Sequence, residues 1–213
     1  MKKISVCFLT AAFVLPAAFM LTGCLPGAKP PYLIEQNVLD YKTPLMGTIV
    51  AFNQTIRIER FSVAQAYNST AMIYKPSPYK IAAYDGDRWR VNPGDMISDF
   101  LLRDVRRAGL FQGVFSYRDG ENTRFVLEGG LEEFLEIDEQ DAGKAVIGLT
   151  VTLLDSQAKE ITQRIVFQKH YTAEEVMSEQ NASALTLCMS KAMAQISERI
   201  LKDIYLALQA QGK

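Results

Sequence analysis

Residues 144–154 read Lys-Ala-Val-Ile-Gly-Leu-Thr-Val-Thr-Leu-Leu. The stretch is rich in β-branched residues, and Val146, Ile147, Leu149 and Val151 place apolar groups on both of its faces. A strand that is apolar on both sides is not suited to a solvated edge, so the pattern predicts a central strand covered by helix. The covering helix is legible downstream. Met189, Ala192, Met193, Ile196, Ile200, Ile204 and Ala207 recur at three- and four-residue steps, which predicts a long amphipathic helix over Ser183 to Ala210.

A second helix opens at Asn92-Pro93-Gly94-Asp95, with Asn92 as N-cap and Pro93 at the first helical position. Ile97, Phe100, Leu101, Val105 and Ala108 form its apolar stripe, Asp99, Arg103, Arg106 and Arg107 lie largely outside it, and Gly109 ends it. Short strands surround it. Thr55 to Phe61 alternates, with Ile56 and Ile58 on one face and Arg57 and Glu59 on the other. Ala71 to Tyr74 and Tyr79 to Tyr84 are two more, separated by Pro76-Ser77-Pro78, which breaks a continuous ladder. Asp85-Gly86-Asp87 reads as a turn. Gly113 to Tyr117 and Thr123 to Gly129 flank Arg118–Asn122, a hairpin signal. Gly129-Gly130 marks a bulge or bend, with pairing resuming through Leu131 to Ile137. Asp155 to Lys159 then turns the chain into a strand from Ile161 to Tyr171. The sum is a single α+β domain over residues 47–213, an antiparallel or mixed sheet with two main helices packed on one face.

What precedes that domain is not fold. Lys2 and Lys3 give a positive start, and Ile4 to Met20 is apolar apart from Ser5, Thr10 and Pro16. Leu21-Thr22-Gly23-Cys24 then reads as a lipobox, so residues 1–23 form a cleaved lipoprotein signal peptide. The small residues let a peptidase hold an extended backbone, and the thiol of Cys24 takes the diacylglyceryl group. Two readings compete: an uncleaved membrane anchor, and cleavage nearby that leaves Cys24 a plain thiol. Pro16 disfavours a stable spanning helix. The only group attached to the chain is then covalent, an S-diacylglycerol and N-acyl lipid on Cys24; two or more acyl chains anchor stably, whereas one does not. Leu25 follows, with no Asp to suggest inner-membrane retention, which favours the periplasmic face of the outer membrane. Residues 24–46 hold Pro26, Gly27, Pro30, Pro31 and Pro44 and read as a tether, part of which packs.

Composition excludes several classes. The chain has 23 basic and 24 acidic residues, and Lys2 and Lys3 leave with the signal, so the mature protein is slightly acidic. It has no concentrated basic face for nucleic acid. Of the three cysteines Cys7 is removed, Cys24 is lipidated and Cys188 is left alone, so no internal disulfide can form. Cys188 reads as a buried structural thiol beside the apolar stripe. The single histidine, His170, has no partner at ligand or triad spacing, and no nucleophile elbow or phosphate loop accompanies it. Glu128, Glu132, Glu133, Glu136, Asp138, Glu139 and Asp141 lack the alternating pattern of a Ca²⁺ loop and read as a solvated strand end and hairpin. We expect no catalytic residue and no metal site. The informative cluster is aromatic: Tyr67, Tyr74, Tyr79, Tyr84 and Trp89, interleaved with Lys75, Lys80, Arg88 and Arg90. These rings could cover the sheet, with Trp89 in the core. The same residue types are enriched in interface hot spots, so Tyr67, Tyr74, Tyr79, Tyr84, Arg88 and Trp89 are candidate partner contacts.

Tyr79 to Trp89 reads Tyr-x-x-x-x-Tyr-x-x-x-Arg-Trp, followed by a turn, a helix with Asp95-Met96-Ile97 near its start, and Leu101…Gly109-Leu110-Phe111. This stretch, with the lipobox, the strand order and the C-terminal helix, resembles the ABC-type transport auxiliary lipoproteins, which accompany mammalian-cell-entry (MCE)-type lipid transport systems. The family's Asp-Arg-Pro-like triplet before the preceding strand is absent, its place taken by Tyr67 to Ile73. The resemblance implies a non-catalytic lipoprotein that docks onto an MCE-domain protein, itself joined to an ABC permease and ATPase, and it allows copies to assemble as a ring. An envelope scaffold of pilotin type, binding a secretion channel or another outer-membrane complex, is the alternative. Mass spectrometry of the mature protein is expected to find Cys24 as its acylated first residue; an intact Met1 or a bare thiol there would refute the anchor.

Overall fold

Among the described residues, nine strands and three α-helices follow in the order β1 (Glu35–Asn37), β2 (Phe52–Ile58), β3 (Ser62–Val63), β4 (Ala71–Ser77), β5 (Lys80–Trp89), α1 (Pro93–Ala108), β6 (Phe111–Ser116), β7 (Phe125–Asp138), β8 (Gly143–Asp155), α2 (Ile161–Arg164), β9 (Ile165–Val176) and α3 (Ala182–Ala210). The computed structural model describes residues 33–47, 49–139 and 142–212. The signal peptide, the lipobox with Cys24, and Asp141 lie outside them. From Ile34 onward the chain forms one unit, an α+β domain with a mixed sheet.

β8 is central, as its two apolar faces require. It pairs antiparallel with β7 on one side and β9 on the other. Ala145, Ile147, Leu149, Val151 and Leu153 are buried in the main core beneath α1 and α3. The opposite face is covered only locally, where Val146 meets Ile73 and Leu135. Both main helices form as their caps dictate. The Asn92 side chain accepts from the Gly94 amide, Pro93 takes the first turn, and Gly109 ends α1 at φ 66°. Asn181 caps α3 by accepting from the Ala184 amide at 2.8 Å.

Four local expectations are corrected. Gly113–Tyr117 and Thr123–Gly129 do not form a hairpin, because β6 and β7 both run parallel to β2, which lies between them. A short loop allows a hairpin but does not compel one; here the apolar face of β2 takes the slot. Asp85-Gly86-Asp87 is not a turn. It lies within β5, where the register against β4 slips between Ala71 and Ile73 and Gly86 adopts φ 86°, so the residues are absorbed as a bulge. The turn is instead at Pro78-Tyr79, closing a β4–β5 hairpin. Ile161–Arg164 is one helical turn, and β9 begins only at Ile165. Finally, Gly129-Gly130 is paired throughout, and the bulge in β7 falls after Leu131. Glycine is needed at 129 for another reason. A Cβ there would sit 2.4 Å from the Phe61 ring and 2.6 Å from the Thr150 carbonyl oxygen, so its absence lets Phe61 pack onto the sheet.

β1 joins the edge of β5 in parallel. The following residues strap across both helices. Leu39 is buried, and the Asp40 amide donates to Ser190 on α3 at 2.9 Å. Asp104 on α1 is wholly buried and holds the strap. Its carboxylate accepts from the Tyr41 hydroxyl at 2.7 Å, the Thr43 hydroxyl at 2.9 Å, the Ser197 hydroxyl of α3 at 2.7 Å and the Arg103 guanidinium at 2.8 Å. That guanidinium lies 4.4 Å from the ring centres of both Tyr41 and Phe100. Burial, then the neighbouring carboxylate, pushes the Tyr41 phenol far above its usual range and keeps it a donor. Spacing could have found this residue. Asp104 lies three after Leu101 and four before Ala108, inside the apolar stripe. Removing a buried charge from its donors costs several kcal/mol. Asp104→Ala is therefore expected to lower the urea-unfolding free energy by about 3 kcal/mol with an unchanged m-value.

A candidate docking edge on the β4–β5 hairpin

The hairpin sorts the sequence-derived candidates by burial. Trp89, at the end of β5, is 2% exposed and packs against Phe134 with ring centres 5.1 Å apart and planes tilted by 57°, so it serves the core and offers a partner nothing. Tyr67 is half-buried, in the single 3₁₀ turn Gln65–Tyr67, and packs over Ile73, Leu135 and Val146. Tyr74 and Tyr84 come together across the hairpin with ring centres 5.3 Å apart. Arg88 is spent on the backbone, donating to the Tyr84 and Asp87 carbonyls at 2.6 and 2.7 Å. Tyr79, at the turn, is 98% exposed. The structure thus brings Tyr74 and Tyr84 into one patch, puts Tyr79 at its tip and removes Trp89 from it. Ile81, not singled out by sequence, is 55% exposed beside Tyr79. Only its place in the alternation of an edge strand could have flagged it.

Glu136 was read as part of a solvated acidic run; the fold buries it. The bulge after Leu131 resets the alternation of β7, so Glu136 shares the core-facing side with Phe134. The Tyr84 hydroxyl donates to Glu136 Oε2 at 2.5 Å. Burial lifts the Glu136 carboxyl to about 7, the Tyr84 bond opposes this, and Asp138 adds to it. Glu128, Glu132 and Glu133 stay exposed on the open face of the sheet.

Among the described residues, the histidine and the free cysteine lie apart from this hairpin. His170 is on that same open face, its Nδ1 3.3 Å from Glu132 Oε2 and its Nε2 2.9 Å from the Thr172 hydroxyl. The Cys188 thiol is buried, free, and 3.5 Å from the Val176 carbonyl; burial raises its pKa, away from the reactive thiolate. Among the described residues no cluster of His, Cys, Asp or Glu could hold a metal ion, and no helix is long and apolar enough to cross a membrane. An open depression of about 440 Å³ is lined by Asn53, Gln54, Arg57, Gln112, Asn122 and Arg124 among others. Both of its arginines are already engaged, Arg57 with Glu59 at 2.6 Å and Arg124 with Asp155 at 3.2 Å, which leaves little attraction for an anion.

Glu136 makes stability depend on pH in a defined direction. Its folded-state pKa lies above its unfolded value, so its contribution is fully present below about pH 4.5 and is lost as pH rises through about 7. Glu136→Gln is expected to match the wild type in urea unfolding at pH 4.5 and to exceed it at pH 8, by on the order of 2 kcal/mol.

The sequence matches the family model described as the ABC-type transport auxiliary lipoprotein component over residues 42–201. Protein XCC0632 from Xanthomonas campestris has the same fold, with a TM-score of 0.75 at 18% identity over 84% of this chain and 98% of that one. A second crystal structure, of an uncharacterized protein, aligns with a TM-score of 0.61 at 14% identity over 81% and 99% of the two chains. At such identities these two likenesses speak to fold alone. No curated protein matches the sequence. The family match runs from the strap at Lys42 through α1 and strands β2 to β9 to Leu201 on α3, and the chain belongs to the ABC-type transport auxiliary lipoprotein component family.

Proposed function

We propose that this protein is the lipid-anchored auxiliary component of an MCE-type lipid transport system. It is held through acylated Cys24 on the periplasmic face of the outer membrane and docks onto the transporter's periplasmic MCE-domain protein. The observation that carries this reading is the family match over residues 42–201, which takes in nearly every packed element. The lipobox and the nine residues between Cys24 and Ile34, which serve as a tether, are consistent with it. The role is binding rather than catalysis. Glu136 and Tyr84 are committed to each other and Cys188 is buried as a thiol, so the groups with displaced acidity serve packing. ATP hydrolysed by the partner ATPase supplies the work, and this domain supplies a fixed contact at the opposite membrane. Several copies gathered as a ring would frame a passage for lipid, a geometry consistent with a small domain tethered at one point.

Crosslinked envelopes from cells carrying affinity-tagged full-length protein are expected to yield an MCE-domain protein. Deletion of the gene is expected to perturb outer-membrane lipid asymmetry, and Cys24→Ala to fold normally yet fail to restore it. Recovery of a secretion channel in place of the MCE protein, with asymmetry intact, would reverse the assignment in favour of an envelope scaffold.

A further inference from the structure

The open depression of about 440 Å³ lies where β2, β6, the loop before β7 and the loop after β8 meet. Its size falls within the ~300–1,000 Å³ of small-ligand sites. Thr55 and Arg57 on its floor alternate with buried Ile56 and Ile58, so it opens on the face of the sheet away from the main core. Five of its lining residues are amides: Asn53, Gln54, Gln112, Asn122 and Gln157. None of those five side chains hydrogen-bonds to another described residue, so each still offers donors and an acceptor. The frame around them is fixed. Arg57 Nη1 donates to the Glu121 carbonyl at 3.2 Å, the Arg124 amide to the Thr55 hydroxyl at 3.4 Å, and the Ser156 amide to the Arg124 carbonyl at 2.7 Å. Main-chain and arginine bonds hold the cavity, and its amides are left over.

β6 brings an aromatic ring to the rim. Phe115 pairs with Arg57 and Gly113 with Thr55, so the four share one face of the sheet. A Cβ on Gly113 would stand 3.1 Å from Phe115 Cε2 and 3.2 Å from Thr55 Cγ2. The bare glycine therefore lets the ring lie back along its strand, toward Thr55 and the depression. Phe115 is half-buried yet joins neither apolar core cluster of the described residues. β6 also ends its arm of the sheet, so among the described residues no further strand covers the ring. An apolar ring that serves no core stands beside a polar cavity that serves no fold.

The lining narrows the ligand. Its only charged members, Arg57 and Arg124, are paired with Glu59 and Asp155, so an anion gains little there. A peptide strand added to β6 would find the Val114 carbonyl already taken by Arg106 Nε at 3.1 Å. Side-chain amides beside a flat ring suit a sugar. Its hydroxyl and acetamido groups both donate and accept, as the amides do, and the C–H face of a pyranose can lie on the ring. We propose that this depression binds an uncharged chain of N-acetylated amino sugars, with Phe115 under one sugar ring and Gln112 and Asn122 on its polar groups. The site is separate from the docking hairpin. β4 meets β7 at Glu136 and Ile137, whereas the depression adjoins the start of β7 at Arg124. The inference therefore goes beyond the transport reading and does not rest on it.

The test is calorimetric titration of the full-length protein, purified in detergent, with chitotetraose, a short chain of N-acetylglucosamine. Binding is expected with a Kd of about 1 mM or below. Phe115→Ala is expected to raise that Kd about tenfold, and the double variant Gln112→Ala with Asn122→Ala by a similar factor. Tyr79→Ala, on the distant hairpin, is expected to leave it unchanged. Urea unfolding checks that each variant is folded. No binding by the wild type, or equal binding by wild type and Phe115→Ala, overturns the proposal. Tighter binding of glucose 6-phosphate than of chitotetraose overturns it as well. Sedimentation with isolated peptidoglycan sacculi separates two sources of the same chemistry. Protein that binds chitotetraose and pellets with sacculi reads a cell-wall strand; protein that binds it but stays in solution takes a free oligosaccharide.

Discussion

The Asp104 carboxylate is the point at which the N-terminal strap and the two main helices of this domain are joined. It is buried, and its four donors come from the strap (Tyr41, Thr43), from α1 itself (Arg103) and from α3 (Ser197). A charge in that position would be costly alone, and the geometry answers the cost with hydrogen bonds in several directions. The stack of Arg103 on Tyr41 and Phe100 closes the arrangement from the solvent side. Because the strap follows directly on β1, the residues that lead in from the tether are fastened to the helical layer within a few positions.

The sheet obeys a second constraint, the length of β7. It is paired along one side with β8 and along the other with β2, β3 and β4 in succession. Serving three short strands in turn, it cannot be flat. The bulge after Leu131 and the bare Gly129 beneath Phe61 are where it accommodates them. The same bulge decides the fate of the acidic residues beyond it. It turns Glu136 inward against Tyr84 and leaves Glu132 and Glu133 outward, so a single inserted residue separates a buried carboxylic acid from a solvated one.

The described residues gather Tyr74, Tyr84 and Tyr79 along one hairpin, and the chain's entry lies beside it. The parallel pairing of β1 with β5 sets the side of the hairpin from which the described chain enters the sheet.

The local elements were legible because their causes are local. Asn92-Pro93 and Gly109 bracket α1 by capping chemistry, the three- and four-residue recurrence marks α3, and the two apolar faces of residues 144–154 put β8 at the centre. The expected lipobox rests on an equally local pattern, a run of four residues, Leu21 to Cys24. What the tertiary structure alone decided is non-local. β2 displaces the expected hairpin by lying between β6 and β7, a choice made by pairing residues more than fifty positions apart. Trp89 and Tyr79 belong to one aromatic cluster in the sequence, yet one is core and the other tip, because ten residues of strand carry the chain from the interior to the turn. Asp104 was visible as a misfit in an apolar stripe, but its role waited for Tyr41, Thr43 and Ser197 to arrive from elsewhere. Periodicity reports which face of an element is apolar; only packing reports what that face meets.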